Sequence, residues 1–172
     1  MQANLIFLIV GALAILPASA SAHEPGAHVH GVAKLQVAVD GNTLTLSLES
    51  PLDNLLGFEH LPRSEKQKAA VRNMAERLNQ AGKIFLPTPA AQCATVSVKL
   101  ESPVLEHATS GDGHNDLDGD FVFRCERPDA LRGLEVRLFE AFPNLRRLDV
   151  QVATPRGQVA ARLAPGQRRI DW

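Results

Sequence analysis

Val32-Ala33-Lys34-Leu35-Gln36-Val37-Ala38-Val39-Asp40-Gly41-Asn42-Thr43-Leu44-Thr45-Leu46-Ser47-Leu48-Glu49 is written in period two. Ala33, Leu35, Val37 and Val39 alternate with more polar neighbours, and so do Leu44, Leu46 and Leu48. An extended chain sends successive side chains to opposite faces, so each run has one apolar and one solvated face. Asp40-Gly41 between the runs is a two-residue turn signal, and residues 31–50 are therefore expected to form a β-hairpin. A turn centred there pairs Val39 with Asn42, Val37 with Leu44, Leu35 with Leu46 and Val32 with Glu49, with apolar opposite apolar.

Outward from the hairpin the period changes. Over residues 64–81, Val71, Met74, Ala75, Leu78 and Ala81 form an apolar stripe at helical spacing. Ser64 with Gln67 makes a capping box at its start, and Gly82 marks its end. Two further strands are expected, at 94–100 with Val96, Val98 and Leu100 on one face, and at 120–125 with Phe121 and Phe123 together. Between them a polar, acidic loop spans 101–119. Leu134, Val136 and Leu138 fit a strand, whereas Leu131, Leu134, Leu138 and Phe142 fit a helix; a strand followed by a turn at Pro143 is favoured. A last hairpin turns at Pro155-Arg156-Gly157. The sum is an α+β domain of mainly antiparallel hairpins, with one long helix packed on a face.

The chain has 172 residues, 45% of them hydrophobic, which suits a single domain with a real core. A net charge of -1 supplies no general attraction to nucleic acid or anionic lipid. No Gly-rich phosphate loop, HExxH pair or GxSxG elbow occurs. Residues 1–22 read as an export signal. Leu5 to Leu16 is continuously apolar, and Ala18-Ser19-Ala20-Ser21-Ala22 permits cleavage after Ala20 or Ala22. The run is too short for a comfortable bilayer span, although Met1 to Asn4 carries no Lys or Arg. The mature domain is then 23–172, exported, with no stable membrane span. Behind an export signal, Cys93 and Cys125 are expected to form a disulfide, because antiparallel pairing of their strands makes them neighbours. A thiolate metal site is the competing reading, disfavoured because neither cysteine lies in a CxxC pair.

Six histidines, His23, His28, His30, His60, His107 and His114, carry whatever chemistry the chain has. His28 and His30 are two apart, so strand parity aims both to one side, the solvent face of Lys34 and Gln36. Imidazole suits zinc and copper, and a solvent-facing His pair has no packing reason. Glu49, expected diagonal to His30, is a candidate oxygen ligand or outer partner. Glu59 beside His60, and His107, His114 and Asp116 in the acidic loop, extend the candidate metal set. That loop is no calcium hand, since Phe121 stands where the required Gly belongs and Arg127 where the closing Glu belongs. No nucleophile accompanies the His and carboxylate groups, so no catalysis is expected. The free N-terminus offers a separate site. Cleavage after Ala20 leaves Ser21-Ala22-His23, and cleavage after Ala22 leaves His23 first; amine, amide and imidazole nitrogens in a plane favour Cu2+ or Ni2+.

The blocks His28-Val29-His30-Gly31-Val32-Ala33, Ser50-Pro51, Gly57-Phe58-Glu59-His60, Ala91-Gln92-Cys93, His114-Asn115-Asp116, Phe121-Val122-Phe123-Arg124-Cys125, Phe139-Glu140-Ala141-Phe142-Pro143 and Gly157-Gln158 occur in this order. Together they resemble the ZrgA family of zinc-regulated periplasmic proteins linked to zinc uptake. The resemblance implies a periplasmic zinc-binding protein that buffers or delivers Zn2+ beside a zinc importer. Carried over by position, His28, His30, His60 and His114 are its candidate ligands. Relatives often have a dense His/Asp run between the cysteines; here that segment holds only His107 and His114, which favours one folded site over bulk capture. A copper or nickel binder and a metal-free envelope interaction module are the competing functions.

Overall fold

A computed structural model describes residues 29–106 and 116–172. Its strands are β1 (Val32–Asp40), β2 (Thr43–Pro51), β3 (Phe85–Pro87), β4 (Cys93–Glu101), β5 (Asp116–Cys125), β6 (Gly133–Val136), β7 (Arg147–Thr154), β8 (Gly157–Leu163) and β9 (Arg169–Asp171). Its helices are α1 (Leu52–Leu56), α2 (Glu65–Asn79), α3 (Ala81–Ile84) and α4 (Leu138–Ala141). Six strands form one sheet in the order β4-β5-β2-β1-β7-β8, and β3-β6-β9 form a second. All pairs are antiparallel except β1 with β7. No helix among the described residues is long and apolar enough to cross a membrane.

The opening hairpin forms, in a register two residues from the expected one. Asp40 pairs with Thr43, so Gly41-Asn42 is the loop, and Leu35 faces Leu48, Val37 faces Leu46 and Val39 faces Leu44. Sliding by two keeps every side chain on its face, so the alternation alone cannot distinguish the two registers. The observed one sets Lys34 opposite Glu49, with Nζ 2.9 Å from Oε1. Glu49 is thus not across from Val32.

Period two also runs further than expected into the acidic segment. Leu117, Gly119, Phe121 and Phe123 turn inward in sequence, while Asp118 and Asp120 are exposed. The predicted loop 101–119 therefore gives up Glu101 to β4 and residues 116–119, with Asp116 and Asp118, to β5. Across the sheet, Cys93 lies opposite Cys125 and the two form a disulfide. In β4 a bulge between Thr95 and Ser97 inserts one residue and breaks the alternation. Val96, 57% exposed, is consequently not on the face of Val98 and Leu100.

The helix at 65–79 begins as predicted. Ser64 Oγ accepts from Gln67 N at 3.2 Å, while Gln67 Oε1 accepts from Arg63 N at 2.8 Å, closing the box one residue early. Val71, Met74 and Leu78 are its buried stripe. It ends before Gly82, because Gln80 leaves helical geometry at ψ 49° and α3 then carries Ala81 and Ile84 into the core. Both readings of 131–142 contain part of the outcome. Strand β6 passes directly into α4, and Leu131, Leu134, Val136, Leu138 and Phe142 are all buried. The small sheet closes on the large one where Phe85 meets Phe121, with ring centroids 4.8 Å apart. The opposite face of the large sheet stays solvated, with Lys34, Gln36, Asp118, Asp120 and Gln151 exposed along it.

Candidate metal centre

The start of β1, the end of β2 and the start of β5 lie at one end of the large sheet, since Pro51 pairs with Asp116 and Lys34 with Glu49. The chain enters this end through a turn in which Val32 N donates to Val29 O at 3.0 Å. Gly31 takes φ +84°, a left-handed conformation that L side chains adopt only at a cost. Strand parity therefore stops at Gly31, and His30 does not share the face of Lys34 and Gln36. Instead it points at the segment following β2.

That segment is built from local signals. Pro51 precedes the single turn of α1, where Asp53 sits in the first turn. Gly57, at φ +77°, ends the helix and its N–H closes onto Asp53 O at 2.9 Å. The reversal delivers Glu59 back towards His30. His30 Nε2 lies 3.0 Å from Glu59 Oε1, and His30 Nδ1 lies 3.7 Å from Asp53 Oδ2. The imidazole is 61% exposed while the Glu59 side chain is only 14% exposed, so a sheltered carboxylate meets an accessible ring. An ionised carboxylate only accepts, so the close His30–Glu59 pair calls for a proton or a cation between Nε2 and Oε1, whereas 3.7 Å to Asp53 is too long for a hydrogen bond.

His60 is held differently. Its Nδ1 stands 2.8 Å from Leu61 O, and its ring stacks on Phe58 at 5.1 Å with planes 28° apart. A carbonyl cannot donate, so Nδ1 carries the proton of this bond, and Nε2 is the ring nitrogen that ligates in the corresponding neutral tautomer. Neighbouring Asn54, 1% exposed, ties the site to β1. Its Oδ1 accepts from Gly31 N at 2.5 Å, and its Nδ2 donates to Val32 O at 2.8 Å and Ser50 Oγ at 3.2 Å.

A family model described as the ZrgA family of zinc uptake proteins matches residues 27–172. The chain belongs to this family. No curated protein matches it. In this ZrgA-family chain the matched span contains every histidine of the candidate set except His23. His23, His28, His107 and His114 lie outside the described residues, as does the expected signal at 1–22. Among the described residues no three of His, Cys, Asp and Glu form a metal-holding group. What the fold brings together is narrower: His30 with Glu59 and Asp53. The disulfide removes Cys93 and Cys125 as thiolate ligands.

Two other expected contributors stand at the same end of the sheet with partners of their own. Glu49 is engaged by Lys34 rather than lying diagonal to His30. Asp116 opens β5 opposite Pro51, with its carbonyl accepting from Ser102 Oγ at 2.7 Å. Beside them, Glu49, Asp118 and Glu101 stand in one row across β2, β5 and β4. Partial burial, then the charges of Glu49, Glu101 and Asp120, push the Asp118 carboxyl above the usual aspartate range. The sequence reading passed over Asp53 and Asn54. Five residues of helix are too few for a periodicity signal, and only Pro51 ahead and Gly57 behind marked it.

Proposed function

We propose that this protein binds Zn2+ in the periplasm through a site centred on His30 and Glu59, and buffers or delivers the ion to a zinc importer without transforming it chemically. The observation that carries the reading is the 3.0 Å approach of His30 Nε2 to Glu59 Oε1, with Asp53 behind the other ring nitrogen. Zinc bonds of about 2.0 Å to nitrogen and oxygen at a tetrahedral angle hold the two donor atoms about 3.3 Å apart. Seating zinc between the two atoms therefore needs an opening of only a few tenths of an ångström. Asp53 then takes the place of the outer carboxylate that orients a ligating histidine.

Two donors do not complete a zinc site, which takes four. His60, whose Nδ1 is engaged by Leu61 O, offers Nε2 as the third ligand in this reading. His28 precedes His30 by two residues, and His114 precedes Asp116 by two. Both are candidate ligands by their place in the family's motifs and lie outside the described residues. An exposed ring in the first shell suits a protein that must give its ion away. The disulfide and the signal-like leader support export, and membership of a zinc uptake family supports zinc as the cargo.

The test is zinc titration of the mature chain against a chromogenic chelator. His30→Ala and Glu59→Gln should each weaken binding by about tenfold or more, while Glu49→Gln, whose carboxylate is paired with Lys34, should leave it unchanged. Wild-type affinity in both His30→Ala and Glu59→Gln would move the site away from this corner and end the proposal.

A further inference from the structure

We infer that Asn54 is the positioning residue of this site: it does not touch the ion, and it sets the corner from which His30 reaches Glu59. The inference rests on the zinc-site reading above and extends it to a residue outside the ligand set. Asn54 is 1% exposed and spends its side chain on the opening of β1 and on Ser50 at the end of β2. One amide oxygen holds Gly31 N–H at 2.5 Å, and one amide nitrogen spans Val32 O at 2.8 Å and Ser50 Oγ at 3.2 Å. The peptide on the other side of Gly31 is also held, because Gly31 O accepts from both Arg146 N and Arg147 N at 2.8 Å.

The consequence for His30 follows from connectivity. Gly31 is the hinge between the strand and the imidazole, and its left-handed φ permits many alternatives once a clamp is lost. Asn54 is also the residue after Asp53, on the one-turn helix that ends in Gly57 and leads to Glu59. A single side chain thus couples the backbone carrying His30 to the helix that carries Asp53 and leads to Glu59. Asparagine alone among short side chains supplies both an acceptor for Gly31 N–H and two donors for Val32 O and Ser50 Oγ. Aspartate lacks the donors, and serine lacks the reach.

The test is a double-mutant cycle on the full mature chain, reading Zn2+ affinity by chelator competition and metal-free stability by urea unfolding. Asn54→Ala should weaken zinc binding about tenfold while the protein remains folded. In a His30→Ala background the same substitution should have no further effect on affinity, because the residue acts through His30. A role confined to stability would lower the urea midpoint and leave affinity unchanged; with His30→Ala still weakened, that result overturns the positioning role and leaves the zinc site standing. Unchanged affinity in His30→Ala overturns both. Should Asn54→Ala fail to fold, Ser50→Ala removes one bond from the same amide. It should weaken zinc binding about threefold, the worth of one hydrogen bond, and wild-type affinity in that variant refutes the inference.

Discussion

Reducing the Cys93–Cys125 disulfide tests how much of this fold depends on one covalent link. The bridge joins residues 32 apart in sequence, at the end of the β4–β5 pair away from Glu101 and Asp116. In the loop-entropy description, opening a loop of that size returns about 12 cal/mol/K to the unfolded chain, or about 3.7 kcal/mol at 25 °C. The native contacts around it change little, because Cys125 is 1% exposed and its strand remains bonded to β2 by the ladder from Thr43–Arg124 onwards. A domain of this size has about 5–15 kcal/mol of stability, so the reduced protein should stay folded with a much smaller margin. The assay is urea unfolding of the same chain with and without a phosphine reductant, which leaves every side-chain atom in place. With a urea slope of about 2 kcal/mol per molar, the midpoint should fall by roughly 2 M. A shift below about 0.5 M, or about 1 kcal/mol, would refute the reasoning. The segment between the cysteines would then already be constrained in the unfolded chain by something other than the bridge.

Gly31→Ala should cost about 1–2 kcal/mol in the same unfolding assay, because an L residue is strained at φ +84° and its Cβ would meet Arg146 Cδ at 3.4 Å; no loss would mean the corner relaxes. Asp118 should be better replaced. Its carboxyl is raised, so the folded chain binds the proton more tightly than the unfolded chain, and stability falls as pH climbs from the ordinary aspartate range through the raised value. Asp118→Asn should therefore stabilise the protein at neutral pH, with the gain vanishing below about pH 3 and shrinking in high salt; a gain that persists at acid pH would contradict it. Ser64→Ala should cost about 1 kcal/mol through loss of the cap on Gln67 N, and an unchanged urea midpoint would show that the cap contributes nothing there.

The period-two runs of 32–49 and 147–163 were legible because each face of a strand meets a different solvent, so alternation must be written residue by residue. The stripe Val71, Met74 and Leu78 was legible for the same reason at helical spacing. The cysteine pairing followed once their strands were placed. Where reading failed, the missing information was non-local. A slide of two residues in the first hairpin leaves the pattern intact, and the choice falls to contacts such as Lys34 with Glu49 and Leu44 with Phe123 across neighbouring strands. Gly119 hid the continuation of β5 because glycine has no side chain to mark a buried face, although Leu117 does.

For the metal centre, the sequence determined the inventory: histidines paired two apart, a GFEH block, two cysteines and a segment rich in aspartate and glutamate. It also determined the local breaks, at Gly31 and Gly57, that let the chain leave its strands. The tertiary structure decided which of these meet. His30 finds Glu59 and Asp53 instead of Glu49 because Gly31 interrupts the strand and Asn54, 23 residues away in sequence, captures its N–H. Residue types and spacings are local properties that any window of sequence displays. Which donor reaches which ring depends on a backbone angle at one glycine and a buried amide on another element, and that juxtaposition exists only once the sheet has formed.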